Sequence, residues 1–204
     1  MPTRAAKPKT ARRARAESRA ESRDGDRSRE RAAPPFLYPT KNSLPEDVRA
    51  QAIPLLNQRL ADCVDLQTQC KQAHWNVKGP SFIGLHELFD DINEAVEEYV
   101  DLIAERVVQL GGVAEGTARA VAGRTTLLDY PLTLRTGAEH VAALSDALAG
   151  FGRAARVGIE EMDALEDADS ADLLTEVSRG VDKWLWFVEA HQQGEPITGA
   201  ADYR

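Results

Sequence analysis

The chain has 204 residues, enough for one globular domain with a proper core and an appendage besides. Apolar residues make up 43% and charged residues 28%, a balance usual in soluble proteins, and no run of about 18 apolar residues exists to cross a membrane. The net charge of −8 conceals a division: residues 1–35 carry eleven Lys or Arg against five acids, a net of +6, leaving −14 on the remainder, so two different electrostatic partners are expected.

Residues 1–41 read as a basic, Arg-rich extension. The first 35 contain no Val, Ile, Leu, Phe, Tyr or Trp, so this arm cannot bury enough apolar surface to offset its ordering entropy. It also lacks the apolar stretch of a secretory leader, and its five acids argue against an organelle transit peptide. Its densest basic part holds Arg4, Lys7, Lys9, Arg12, Arg13 and Arg15. No aromatic is interleaved, so contact with DNA phosphates would be independent of sequence; a solvated tail is the rival reading.

From residue 42 to 193 the pattern is helical. A first helix is expected from Pro45 to about Val77, with Ser43 as its cap, Glu46 and Asp47 in its first turn, and a kink or break at Pro54. Cys63 and Cys70, seven residues apart on it, would lie roughly 10 Å apart, too far for a disulfide, and read as small buried hydrophobes. Gly79-Pro80 makes a turn, Ser81 caps a second helix, and Gly111-Gly112 ends it. A long connection over 113–135 carries a short helix. Further helices span about 136–164 and 170–192, and residues 194–204 form a polar tail. Four long helices, one crossover and no strand pattern indicate an all-α four-helix bundle.

The second helix carries the informative geometry. With His86 as the origin, Asp90, Glu94, Glu97, Asp101 and Glu105 all fall within about 100° of arc, away from the apolar arc of Leu85, Phe89, Ile92, Val96, Ile103, Val107 and Leu110. Such a stripe is either a solvated acidic face or a row of metal ligands. It carries no lysines of its own, and an acidic row without partners repels itself unless a cation is bound. The i,i+4 pairs His86/Asp90 and Asp101/Glu105 could each grip one ion. They cannot share one within a chain, because Asp90 and Asp101 are about 16 Å apart along the axis whereas ligand bonds are about 2 Å. A composite site therefore needs a second, antiparallel copy of the helix, related by a two-fold axis near Val96. His74 lies on an apolar stripe of the first helix, where a histidine is often a satisfied core residue, yet the turn brings it toward His86. His140 and His191 read as structural. Two imidazoles and three carboxylates suit redox-active iron, although zinc would also bind.

The segment KQAHWNVKGPSFIGLHELFDDINEAVEEYVDLIAERVVQLGG, backed by SRGVDKWLWFVEAH, resembles the Dps family, the DNA-protecting miniferritins, over residues 42–193. The resemblance implies a ferritin-like bundle assembled as a dodecameric hollow shell, with ferroxidase centres across two-fold interfaces. Each centre would take His74, His86 and Asp90 from one subunit and Asp101 and Glu105 from its mate, with Trp75 beside it as an electron donor. It further implies oxidation of Fe(II), preferably by hydrogen peroxide, storage of ferric mineral, and protection of DNA in the cytoplasm, associated with the nucleoid if the arm binds DNA. Asp169 and Asp172 match the family's three-fold pore acids; capping of the last helix is the competing role. Glu94 and Glu97 are left between iron nucleation and a solvated face. A nucleoid-binding structural protein with a vestigial metal site is the alternative function.

Overall fold

The structure is a computed structural model that describes residues 36–193. The six basic arm residues from Arg4 to Arg15 and the 194–204 tail lie outside the described residues. Five helices follow in order: α1 (Glu46–Asn76), α2 (Phe82–Gln109), α3 (Ala118–Arg124), α4 (Gly137–Ala164) and α5 (Ala168–Glu189). Among the described residues there is no strand, and no helix is long and apolar enough to cross a membrane.

The long helices form two antiparallel hairpins, α1 with α2 and α4 with α5, packed on one another mainly through α1 and α4. Leu56, Leu60, Leu66, Phe89, Phe151 and Leu174 lie in the shared core, each fully removed from water. Removing one such side chain to Ala typically costs 2–5 kcal/mol, so this apolar layer sets the bundle's stability. Helix direction follows from close approaches along the crossover. Its first residues touch the start of α1, where a Cβ on Gly112 would meet Ile53 at 2.8 Å; its last reach the start of α2, where one on Gly137 would meet Leu85 at 2.8 Å. The crossover therefore runs the length of the bundle, and α2 and α4 point the same way.

The helix ends depart from expectation in instructive ways. Pro54 does not break α1, which is continuous through it. Pro54 is exposed, so the Ala50 carbonyl that loses its N–H partner can turn to water instead. Neither Ser43 nor Ser81 supplies a side-chain cap: the α1 N-cap is Pro45, and Ser81 occupies the α2 N-cap without bonding an amide. Gly111, at φ +89°, closes α2 as foreseen, in a conformation that favours glycine. Thr136 and Glu139 form a reciprocal capping box on α4.

At α5 the cap is Asp167, which accepts from the Ser170 amide. This displaces the capping role weighed for Asp169 and Asp172; both are exposed in the first turns. Asp167 also accepts from Arg106 Nη2 at 2.7 Å, while Arg106 Nε donates to Ser170 Oγ at 2.8 Å. Arg106 is thus buried between α2 and α5, tying the end of one to the start of the other.

Polar residues of α1 pin the crossover. Gln58, Asp62, Asp65 and Gln69 recur every three or four residues and share one face. Gln58 and Gln69 donate to the Arg124 and Leu128 carbonyls, and Asp65 accepts from Thr125 Oγ1. Asp62, fully buried, accepts from the Thr126 amide at 2.7 Å and pairs with Arg59 at 3.3 Å. Asp62→Ala would strand a buried guanidinium and an amide together. Chemical denaturation at fixed protomer concentration should show a loss of about 3 kcal/mol.

Candidate metal centre

The Val77–Ser81 turn places the last turn of α1 against the second turn of α2. His74 and His86 meet there, their rings stacked with centroids 3.7 Å apart and planes 21° from parallel. Each imidazole Nδ1 reaches the other residue's main-chain carbonyl, at 2.8 Å for His74 and 2.9 Å for His86. A carbonyl only accepts, so each Nδ1 carries a proton, and in the neutral ring Nε2 is the nitrogen with a free lone pair. This is the tautomer that a metal ligand requires, fixed by a supporting hydrogen bond of the kind that orients ligating histidines. Phe82 lies tilted against the His86 ring at 5.1 Å. The chain thus brings the two imidazoles together, and His74 is half-buried at a site edge rather than satisfied within the core.

Asp90 follows one turn after His86, but α1 supplies it with a partner. Lys71 Nζ forms an ion pair with Asp90 Oδ1. That hydrogen bond is the main cause of an Asp90 carboxyl held below its usual range, partial burial opposing it and the neighbouring imidazoles adding a smaller pull when charged. Lys71 is the site residue that periodicity within α2 does not show: the stripe lacks a lysine of its own, and its counter-charge arrives from the neighbouring helix, three residues before His74.

Asp101 and Glu105 are exposed further along α2, as are Glu94 and Glu97. Their place on the helix keeps them from His74 and His86 of the same chain. Among the described residues, no three His, Cys, Asp or Glu side chains gather as a metal cluster. Arg106, beside Glu105 on the same helix, turns inward to Asp167 and supplies no counter-charge to the stripe. Trp75 is 67% exposed and borders an open cavity of about 670 Å³ together with Lys71, Glu97 and Tyr130. Cys63 and Cys70 are buried free thiols, and burial pushes both upward in pKa. His140 is buried, and His191 is exposed just beyond α5.

Residues 53–195 match the ferritin-like domain family. The chain is 43% identical over 156 residues to the DNA protection during starvation protein of Agrobacterium fabrum, an alignment covering 76% of this chain and 96% of that one. This is a Dps-family protein. Solved Dps structures superpose accordingly. DpsC from Streptomyces coelicolor does so with a TM-score of 0.75 at 31% identity, covering 79% of this chain and 95% of that one. Dps from Microbacterium arborescens, solved in a high iron form, gives 0.68 at 32% identity, with 74% and 97% covered.

In this Dps chain, Lys71 competes with any cation for Asp90. Lys71→Met should tighten Co(II) binding at the histidine pair by roughly two- to fivefold at low salt, as an ion pair of this exposure allows. Isothermal titration at two ionic strengths reads it, and the gain should shrink as salt rises.

Proposed function

We propose that this Dps protein oxidises Fe(II) at two equal sites on a two-fold subunit interface and stores the ferric product inside a dodecameric shell. Each site takes His74, His86 and Asp90 from one subunit and Asp101 and Glu105 of the partner subunit. The observation that carries this reading is the reciprocal lock of His74 and His86. It commits both Nδ1 atoms and leaves both Nε2 atoms as the available donors, yet among the described residues this chain alone offers no closed set of ligands around them. Asp101 and Glu105, an i,i+4 pair on the same exposed stripe, are the carboxylates an antiparallel neighbour would bring.

Iron here is substrate. Two ferrous ions give up one electron each, and one peroxide accepts both, so the pair that would otherwise generate hydroxyl radical is consumed. This chain's part is to hold both imidazoles by Nδ1 so that Nε2 faces the ion, to keep Asp90 ionised, and to release it from Lys71 when a cation arrives. The relative named for DNA protection during starvation and the neighbour solved in a high iron form support the reading. Asp169 and Asp172, exposed and free of the cap, are assigned to a three-fold pore through which acids draw cations inward. Glu94 and Glu97 lie on the same exposed face.

Replacing Asp101 and Glu105 together by Ala should slow ferric absorbance growth, after Fe(II) and peroxide are mixed, by more than the roughly 10- to 100-fold that losing a supporting residue costs. Oxidation at the wild-type rate would remove the partner carboxylates from the site.

The basic arm is assigned to DNA phosphates, a reading its arginines support; without aromatics to stack on bases, the contact would be independent of sequence. If Arg4, Lys7, Lys9, Arg12, Arg13 and Arg15 all engage, affinity should fall about a thousandfold between 50 and 200 mM salt. Twelve arms on one shell would add avidity. Deleting residues 1–35 should abolish the gel shift of a duplex of any sequence. Undiminished retardation would place the DNA contact elsewhere.

A further inference from the structure

Tyr130 closes the crossover, and His140 stands in the first turn of α4. The Tyr130 hydroxyl lies 2.7 Å from His140 Nδ1, with the two rings nearly parallel at 6.1 Å. His140 is only 2% exposed, and its Nε2 makes no hydrogen bond. The Asn76 carbonyl lies near enough to favour the charged ring, but does not meet hydrogen-bond geometry. Asn76 is the residue after Trp75, so the pair abuts the end of α1 that carries His74. On its other side Tyr130 borders the same cavity of about 670 Å³ as the Trp75 indole.

We propose that Tyr130 and His140 form a proton-coupled electron donor that drains oxidising equivalents from Trp75. The chemistry balances as follows. A hydroxyl radical takes an electron and a proton from the Trp75 indole and leaves as water. The indolyl radical takes an electron from Tyr130 and a proton from solvent, and so is restored. The Tyr130 phenol proton passes to His140 Nδ1, leaving a phenoxyl radical hydrogen-bonded to an imidazolium. A ferrous ion can then return one electron to the phenoxyl while the proton moves back.

The protonation states suit this. Burial and the nearby Cys70 push the phenol upward, so it begins protonated. Burial pushes His140 downward, against Glu139 and with Lys78, so its ring begins neutral and able to accept. Oxidation makes a phenol strongly acidic, and the acceptor is already in hydrogen-bond contact. An anchoring role for the same bond would explain the 2.7 Å contact alone; it would not require Trp75 to line the same cavity.

The sink for iron-derived radicals rests on the iron chemistry proposed above, whereas the electron path does not, so the test contains no iron. Azide radicals from pulse radiolysis oxidise indoles selectively, and transfer to tyrosine appears as phenoxyl absorbance growing while indolyl absorbance decays. Trp184 lies close to Tyr99 and could oxidise it separately, so the measurement uses full-length protein carrying Tyr99→Phe. Phenoxyl growth is expected there, slowed in deuterium oxide, and lost on adding either Trp75→Phe or Tyr130→Phe. Adding His140→Gln should slow the transfer and remove the isotope effect. Unchanged growth in the Tyr130→Phe or Trp75→Phe protein overturns the path. Growth with no isotope effect in the parent overturns the proton's role, and that result stands even if His140→Gln fails to fold.

Discussion

Two histidines twelve residues apart hold each other through their neighbours' carbonyls, and the rest of the site depends on that exchange. A single ring-to-carbonyl bond would fix one tautomer but leave the other helix free to slide. The reciprocal pair ties the last turn of α1 to the second turn of α2 in one register. That register is what sets Lys71 beside Asp90, and it stacks the two imidazoles at 3.7 Å. Neutral aromatic rings tolerate such a contact; two imidazoliums at that separation would repel strongly. The same bonds that select the donor tautomer also hold the two rings in their stack, so structure and ligand chemistry impose one requirement together.

The bundle supports this junction from a distance. The crossover must travel from the end of α2 back to its beginning before α4 can start, and a long irregular connection carries many backbone groups that need partners. Polar side chains spaced along one face of α1 satisfy them at intervals, and Asn57 adds a two-way clamp with Val113 and Glu115. Because α1 also carries His74, Trp75 and Lys71, the element that fixes the crossover also presents half of the site. The Tyr130–His140 bond fastens the final stretch where it returns to the end of α1.

Much of this was legible in the sequence because it depends on periods within one helix. The Gly-Pro and Gly-Gly breaks, the apolar arc of α2 and the exposed acidic stripe opposite it all follow from 3.6 residues per turn. Features that depend on the register between helices were not legible. Asp167 caps α5 while Asp169 does not, because Arg106 reaches it from α2. Lys71 neutralises Asp90 from α1, and no pattern in α2 alone discloses that. Pro54 reads as a breaker on propensity, yet tertiary packing holds its helix continuous. The polar face of α1, visible as a four-residue recurrence, passes for an ordinary solvent face until a crossover is known to cover it.

The stripe itself explains why a second copy would complete the proposed centre. Its six positions are symmetric about a point between Ala95 and Val96: His86 pairs with Glu105, Asp90 with Asp101, and Glu94 with Glu97. Under an antiparallel two-fold, each of these meets its counterpart on the neighbouring helix. Five of the six positions are acids, so bringing the stripes together gathers like charge, which costs free energy unless cations enter. At the ends, imidazole faces carboxylate, and Lys71 already covers Asp90. An incoming ferrous ion would replace the ammonium at the same oxygen while gaining the Nε2 donors that the carbonyl exchange keeps free. In the proposed centre a divalent cation would thus stand where this chain alone holds a weak, salt-screened ammonium. The proposed interface would then be stabilised by the substrate it captures.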